Sequence, residues 1–479
     1  MQILHLEYGP RNGSVQRLSA RLAVSLTQQH ANSFRMGANT ITVLTSSYNP
    51  VSFTADGMRR NDGSFYKISE KDLHILKKLG QGASSVVHKG FYAMENKFVA
   101  IKKINVFEKD TRHQMLNDIK ALCDSPNLPG LVNFYGAYSV PESGQVSIVL
   151  EYLDGGSLGD VLAKVGPIPE NILSKITAKI LTGLNYLHRN KHLVHRDIKP
   201  ANILMNLNGE PKITDFGISA FINSTLAVCN TFLGTVTYMS PERINNQSYS
   251  FSADMWSLGL ALVECALGKY PYDASVGPLQ LMIEVLQNEI PLPPAGQFSE
   301  EFRDFISQCM QKDPYARPSA EKMLQHPFIT VYERDPVDLK AWMQVAYDPN
   351  DKLDEIAIVF AFNYYTLLGP ERMEDLASMY TDKSCLSYNG EEALYGRQAI
   401  VGKLSQVAMT HSTFKMTHRV REVDCQPLGQ DGSAVVFVQG TLEAGPGVPQ
   451  APMPYTEVFV LSQVLPGEYY VANQTFRLL

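Results

Sequence analysis

Cysteine is scarce in this chain: six in 479 residues (Cys123, Cys229, Cys265, Cys309, Cys385 and Cys425), far apart and without CxxC spacing. That excludes a disulfide-stapled small domain and a thiolate zinc site, and it fits reduced thiols in the cytosol or nucleus. Long apolar runs are also missing. The most apolar stretches, Ile356 to Phe362 and Leu258 to Leu267, are too short to cross a bilayer, and Glu264 interrupts the second. No membrane partner is expected. Nor is there an excess of positive charge: 42 Lys and Arg stand against 48 Asp and Glu, a net charge of -6, so no basic field argues for nucleic acid. What is present is ordinary globular composition, 44% hydrophobic and 19% charged, in a chain longer than one core normally organises. Two folded domains are expected.

Residues 1 to 66 set Arg11, Arg17, Arg21, Arg35, Arg59 and Arg60 against Glu7, Asp56 and Asp62, with scattered Ser, Thr, Asn and Gly and little apolar periodicity. This reads as a disordered N-terminal region. The Arg-rich, acid-poor start also has the composition of a transit peptide. The basic residues ahead of Leu22 and Val24 suit docking on an acidic groove.

From Leu73 the pattern turns to strands: Leu73-His74-Ile75-Leu76, then Leu79 to Val87, then Phe98-Val99-Ala100-Ile101-Lys102. Gly80 and Gly82 would let a turn close over phosphates, with Ser85 where a third glycine would complete the GxGxxG pattern. Val-Ala-Ile-Lys downstream makes Lys102 the contact to the α- and β-phosphates. Met115, Leu116, Ile119 and Leu122 recur at helical spacing and put Asp118 at the edge of their buried face, facing Lys102. The run Ile148 to Leu153 reads as a buried strand entering the turn Asp154-Gly155-Gly156-Ser157. Backbone groups of Glu151 and Leu153 are placed to bond an adenine packed between Leu79, Val87, Ala100 and Leu204, with Leu150 setting the pocket's depth and Ser157 counted among the nucleotide contacts. Ile172, Ile176, Ile180, Leu184 and Leu187 mark a long amphipathic helix.

That helix delivers His195-Arg196-Asp197-Ile198-Lys199-Pro200-Ala201-Asn202, followed by Asp215-Phe216-Gly217. Asp197 can orient a hydroxyl and accept its proton, Lys199 can neutralise a γ-phosphate, and Asn202 with Asp215 can hold Mg²⁺. The set, with Lys102 upstream, is that of a protein kinase using ATP. Lys199 two residues past Asp197 is the serine/threonine arrangement, with Thr235 as its hydroxyl partner. Arg196 supplies a cation that can grip a phosphate on the activation segment. Glu242 is expected to pair with Arg317.

The runs His195 to Asn202, Asp215 to Ser219 and Tyr238 to Arg243 resemble the mitogen-activated protein kinase kinases. That resemblance implies a dual-specificity enzyme that modifies Thr and Tyr in a MAP kinase activation loop and is itself switched on by an upstream MAP kinase kinase kinase. Thr225 and Thr231, with five residues between them, have the plant-type spacing of the two activating phosphorylation sites. Asp118, where the family has Glu, and Ser85 leave open a second reading: a weakly active or inactive scaffold whose C-terminal domain does the work.

Residues 330 to 350 read as a charged connector that could dock an upstream kinase. Helices are expected over 351 to 368, 372 to 380 and 396 to 407, and strands over 414 to 423, 434 to 442, 455 to 464 and 469 to 478. Three helices on a curved antiparallel sheet make an α+β cone. Asn363-Tyr364-Tyr365, Tyr380 to Gly390, Tyr395 to Val401 and Thr475 to Leu478 resemble nuclear transport factor 2. At Asn389, Gly445 and Gly447, which match that factor's acidic GTPase contacts, no charge is present, so a homodimer or another protein partner is expected instead of a GTPase. Related cones host isomerases with a buried Asp and Tyr, for which Tyr388 and Asp424 would be the candidates. The resemblance is to plant and algal MAP kinase kinases with such a tail. The expected organisation is α+β multidomain: a disordered 1–66, a bilobal kinase fold over 70–329, a linker over 330–350 and the cone over 351–479. The expected location is the cytoplasm, with the nucleus open.

Overall fold

The computed structural model describes residues 34–479 apart from 38–39, 46–47, 61, 83–84, 106–114, 116–118, 120–121, 124–126, 141–143, 216–235, 249, 274, 276, 334–336, 348–352, 430–432, 446–450 and 466–467. The described residues fall into two compact units that divide between Ala346 and Tyr347.

The disorder expected through residue 66 does not hold for the described part. Strands β1 (Phe34–Gly37), β2 (Thr40–Thr45), β3 (Tyr48–Thr54), β4 (Gly57–Arg60) and β5 (Phe65–Lys67) form an antiparallel meander in that order. Asp56-Gly57 makes the β3–β4 hairpin, with the Thr54 hydroxyl donating to the Gly57 carbonyl at 3.1 Å. Ile41, Phe53 and Met58 are fully buried. Strands this short cannot bury a face alone. Here β3, β4 and β5 pack on the strand over Phe134–Val140, which supplies the missing apolar partner.

The next sheet is the N-lobe: β6 (Leu73–Gln81), β7 (Ser85–Tyr92), β8 (Lys97–Asn105), β10 (Phe134–Val140) and β11 (Gln145–Glu151), ordered β10-β11-β8-β7-β6 and antiparallel throughout. The short β9 (Gly130–Leu131) belongs to a second sheet, with β12 (Ile203–Met205) and β13 (Pro211–Ile213).

The C-lobe is helical: α1 (Leu158–Val165), α2 (Glu170–Arg189), α3 (Pro241–Ile244), α4 (Ser252–Leu267), α5 (Pro278–Gln287), α6 (Glu300–Cys309), α7 (Ala320–Met323) and α8 (Pro327–Thr330). The periodic residues Ile172, Ile176, Ile180, Leu184 and Leu187 are the buried stripe of α2, as their spacing requires. Almost all of α4 is buried, Trp256 completely. Glu242 and Arg317 form the expected pair, two parallel bonds of 2.8 Å between side chains that are at most 1% exposed.

The connector expected over 330–350 is partly a helix, α9 (Leu339–Ala346), packed on α1. Met343 is fully buried. Gly155 makes room for it: a Cβ there would lie 2.8 Å from Met343 Cε and 2.7 Å from the Met205 carbonyl oxygen.

The second unit holds α10 (Leu353–Leu367), α11 (Met373–Ala377), β14 (Tyr380–Tyr388), β15 (Leu394–Tyr395), α12 (Arg397–Thr413), β16 (Thr417–Leu428), β17 (Ser433–Glu443), β18 (Met453–Leu465) and β19 (Glu468–Leu478). Three helices and a sheet is the expected α+β cone. Two details differ. Strand β14, whose middle is polar, was not anticipated, and it pairs with β19 in parallel, so the sheet β15-β14-β19-β18-β17-β16 carries one parallel seam. The second and third helices are also displaced from their expected bounds, α11 being shorter and α12 running on to Thr413. Tyr364, Tyr380, Tyr455, Phe459 and Phe476 fill the core between α10, α12 and the sheet.

Candidate active site

The nucleotide-facing wall is set by strand pairing. Register places Val87 opposite Lys102, and Leu150 opposite Ala100. Val99 and Ile101 are fully buried on the opposite face, whereas Val87, Ala100 and Leu204 are half-buried, and Leu79 is 42% exposed. That alternation leaves an apolar cleft lined by the residues expected around adenine. At the hinge the Glu151 N–H donates to the Asn133 carbonyl at 2.9 Å, so the group left at 151 for adenine is its carbonyl. The Glu151 side chain accepts from Lys212 at 2.7 Å and from the Asn133 amide at 3.0 Å. Leu153 is buried beside it. Among the described residues, a Cβ on Gly80 would meet nothing within 4 Å and one on Gly82 only Ser85, 3.5 Å from its Oγ, and the turn closes through the Gly82 N–H donating to the Ser85 carbonyl at 2.8 Å. Ser157 caps α1: its hydroxyl donates to Asp160 at 2.6 Å and accepts from the Asp160 amide at 3.1 Å, closing a capping box.

Lys102 is 3% exposed, and its ammonium pairs with Asp215 at 2.8 Å. Lys102 beside it holds the Asp215 carboxyl below the usual carboxylate range. Asp118 lies outside the described residues, and so do Thr225, Thr231 and Thr235.

In the catalytic loop, one oxygen of Asp197 accepts from Lys199 at 2.8 Å and from the Asn202 amide nitrogen at 2.7 Å, which also donates to the Asp197 carbonyl at 2.8 Å. Both cationic and neutral donors crowd one carboxylate oxygen, which leaves the second for a substrate hydroxyl. Because the Asn202 nitrogen is committed to Asp197, its carbonyl oxygen is the atom left for a hard cation. An amide oxygen with the Asp215 carboxylate suits Mg²⁺, which takes few protein ligands and completes its shell with phosphate and water. Among the described residues there is no denser cluster of metal-ligating side chains.

The loop hangs on residues whose part in it the spacing did not reveal. Asp254, at the start of α4, accepts from the His195 amide at 2.7 Å, the Arg196 amide at 2.8 Å and His188 Nε2 at 2.9 Å. Burial works to raise the Asp254 carboxyl, but these donors hold it below the usual range. They stabilise a left-handed backbone at Arg196, whose φ is +75°, a conformation unfavourable for a long side chain. Arg243 donates to the Arg196 carbonyl at 2.6 Å. Burial lowers the His195 pKa and keeps the ring neutral. Its Nε2 donates to the Thr214 carbonyl at 3.1 Å and its Nδ1 accepts from the Asp197 amide at 3.3 Å. One ring therefore ties the loop to the segment that presents Asp215.

In the cone, Asp424 is exposed and Tyr388 is half-buried, stacked on Phe476 at 4.8 Å, so the isomerase candidates do not converge. The buried acid is Glu457, which accepts from Tyr365 and Gln474 at 2.5 Å each.

Fold and loop together define a protein kinase. The protein kinase domain family matches residues 73–329, and the nuclear transport factor 2 (NTF2) domain family matches 356–478. Mitogen-activated protein kinase kinase 3 of Arabidopsis thaliana is 42% identical over 476 residues, covering 91% of each chain. Mitogen-activated protein kinase kinase SIPKK of Nicotiana tabacum is 41% identical over 60% of this chain and 81% of its own. Dual specificity mitogen-activated protein kinase kinase dSOR1 of Drosophila melanogaster is 39% identical over 58% and 75%. The chain belongs to the protein kinases, as a mitogen-activated protein kinase kinase with a C-terminal NTF2 domain.

Proposed function

We propose that this enzyme moves the ATP γ-phosphoryl in line to Thr and Tyr hydroxyls of a MAP kinase activation loop, with Asp197 orienting the hydroxyl and accepting its proton. Lys199 and Lys102 balance the developing charge. Asn202 and Asp215 would hold Mg²⁺, which when bound neutralises the phosphate oxygens. The supporting observation is the convergence of Lys199 and Asn202 on one oxygen of Asp197, which aims a base with a cation at its side. An upstream kinase would phosphorylate Thr225 and Thr231, with Arg196 receiving a phosphate and Thr235 supporting Lys199. The NTF2 domain would hold a second copy of the chain or another protein, and the enzyme would work in the cytoplasm.

Transfer of radiolabel from ATP to a catalytically dead MAP kinase tests the reaction. Wild type should label Thr and Tyr only with Mg²⁺ present, and Asp197→Ala should not. No label from activated wild type would refute the reading.

A further inference from the structure

Backbone bonds lace the hinge turn to β12, the strand that carries Leu204. The Gly155 N–H donates to the Met205 carbonyl at 2.9 Å, and the Met205 N–H donates to the Gly156 carbonyl at 2.8 Å. Ser157 and Leu204 form an isolated antiparallel bridge between the same two segments. Just past β12, the Leu207 N–H donates to the Asp154 carboxylate at 2.9 Å. Adenine is expected to bond Glu151 and Leu153 on one side of this junction and to lie on Leu204 on the other. The junction therefore sets the width of the adenine slot.

Helix α9 closes on that junction. Leu339 and Met343 stand four residues apart and so share one face of the helix. Each meets a glycine. A Cβ on Gly209, in the turn from β12 to β13, would lie 2.3 Å from Leu339 Cβ, and a Cβ on Gly155 would lie 2.8 Å from Met343 Cε. Gly209 has φ +78°, which favours glycine whatever its neighbours. Gly155 does not have a positive φ, so what requires glycine there is room. The space its side chain would take is bounded by the Met343 methyl and by the Met205 carbonyl oxygen, 2.7 Å from the same point. Met343 is fully buried, and Asp338 fixes the start of its helix by accepting from the Lys340 and Ala341 amides at 2.9 and 3.0 Å. The kinase family match ends at residue 329, so this packing comes from outside the segment that carries the chemistry.

Close-packed contacts of this kind pass small displacements on to their neighbours instead of absorbing them. We propose that Met343 is a positioning residue for ATP: packed on Gly155, it holds the hinge turn against β12 and so keeps the Glu151 and Leu153 backbone groups at the right distance from Leu204. The proposal rests on the kinase reading above. Its signature is a loss of nucleotide affinity without a matching loss in the chemical step, because Asp197, Lys199 and Asn202 are held by bonds of their own.

The test uses the full chain as wild type, Met343→Ala, Met343→Val, Met343→Leu and Met310→Ala. Each is measured for ATP affinity with Mg²⁺ by calorimetry, for steady-state phosphorylation of a catalytically dead MAP kinase, and for thermal unfolding. Met343→Ala should weaken ATP binding about fivefold, with kcat and KM for the MAP kinase changed less than about twofold. Met343→Val, a smaller cut that keeps the test readable if the alanine variant does not fold, should weaken it about threefold. Met343→Leu, close in volume, should bind as wild type does. Met310 is equally buried, against Gly259, and Met310→Ala should lower the unfolding temperature while leaving ATP affinity in place. ATP affinity within about 1.5-fold of wild type in the folded Met343 variants, or an equal loss in Met310→Ala, overturns the proposal. A folded wild type that binds no ATP would instead remove the kinase reading on which it stands.

Discussion

The Asp254 carboxylate lies 2.7 Å from the His195 amide and 2.8 Å from the Arg196 amide, so the catalytic loop is suspended from a residue 58 positions beyond Arg196. Asp254→Asn keeps the shape but cannot accept from all three donors. The expected result is a kcat lower by about 10²-fold and a stability lower by about 3 kcal/mol. Linkage gives the sign with pH. A carboxyl held below its ordinary value of 3.8 adds stability above that pH and loses it as pH falls further. Acid titration of wild type against variant should therefore converge at low pH.

Lys102 is the described counter-ion of Asp215. Lys102→Met should lower kcat by about 10²-fold or more while the chain stays folded, since Asp215 is 42% exposed at its side chain and can be solvated. Asn202→Ala should raise the Mg²⁺ concentration needed for half-maximal ATP binding, as read by calorimetry.

Replacing Thr225 and Thr231 together with Ala should abolish activation by an upstream kinase without lowering ATP affinity. Mass spectrometry of the activated wild type should find phosphate on both. Full activation of the double variant would reject the assignment.

A kinase piece ending at Thr330 should be less stable than one ending at Ala346, because α9 buries Met343 against the Gly155 turn. Met343→Asp should cost about 2–4 kcal/mol by denaturant titration, and the two effects should not add.

The cone should respond to pH through Glu457, pushed up to about 7 by burial against the hydrogen bonds from Tyr365 and Gln474. His418, beside Tyr365 and Tyr455, is pulled down to about 3 by burial and by His411. A raised carboxyl holds its proton longer in the folded state, so Glu457 removes stability as pH rises from about 4.5 to 7. His418 adds stability as pH rises from about 3 to 6.5. The two oppose each other up to about pH 6.5, above which wild type should lose on the order of 1 kcal/mol by pH 8. Glu457→Gln should abolish that loss. Hydrogen exchange of β18 and β19 amides, corrected for intrinsic rate, reads both slopes.

The catalytic set was legible because phosphoryl transfer needs its groups at short fixed offsets: Asp197, Lys199 and Asn202 within one loop, with Asp215 after a hairpin. The stripe of α2 was legible because burial of one helix face repeats every three to four residues. The meander was not. Its strands are short and mixed in polarity, and the apolar surface that makes them strands belongs to β10. Strand β14 escaped notice because Asp382, Lys383 and Ser384 interrupt its apolar pattern, and its parallel partner β19 lies some 90 residues downstream. Glu457 occupies an inward position between Tyr455 and Phe459, where a charge reads as surface until Tyr365 and Gln474 are seen to close on it.

By itself the sequence determined the chemistry, the two domains and the family, since each depends on residue types at fixed separations along the chain. Only the tertiary structure decided that Asp254 carries the loop, that the Tyr66 hydroxyl reaches the Cys123 carbonyl and that Glu457 is enclosed. Hydrogen bonds between segments tens of residues apart leave no periodic trace, and their partners become visible only when the chain has brought them within 3 Å of each other.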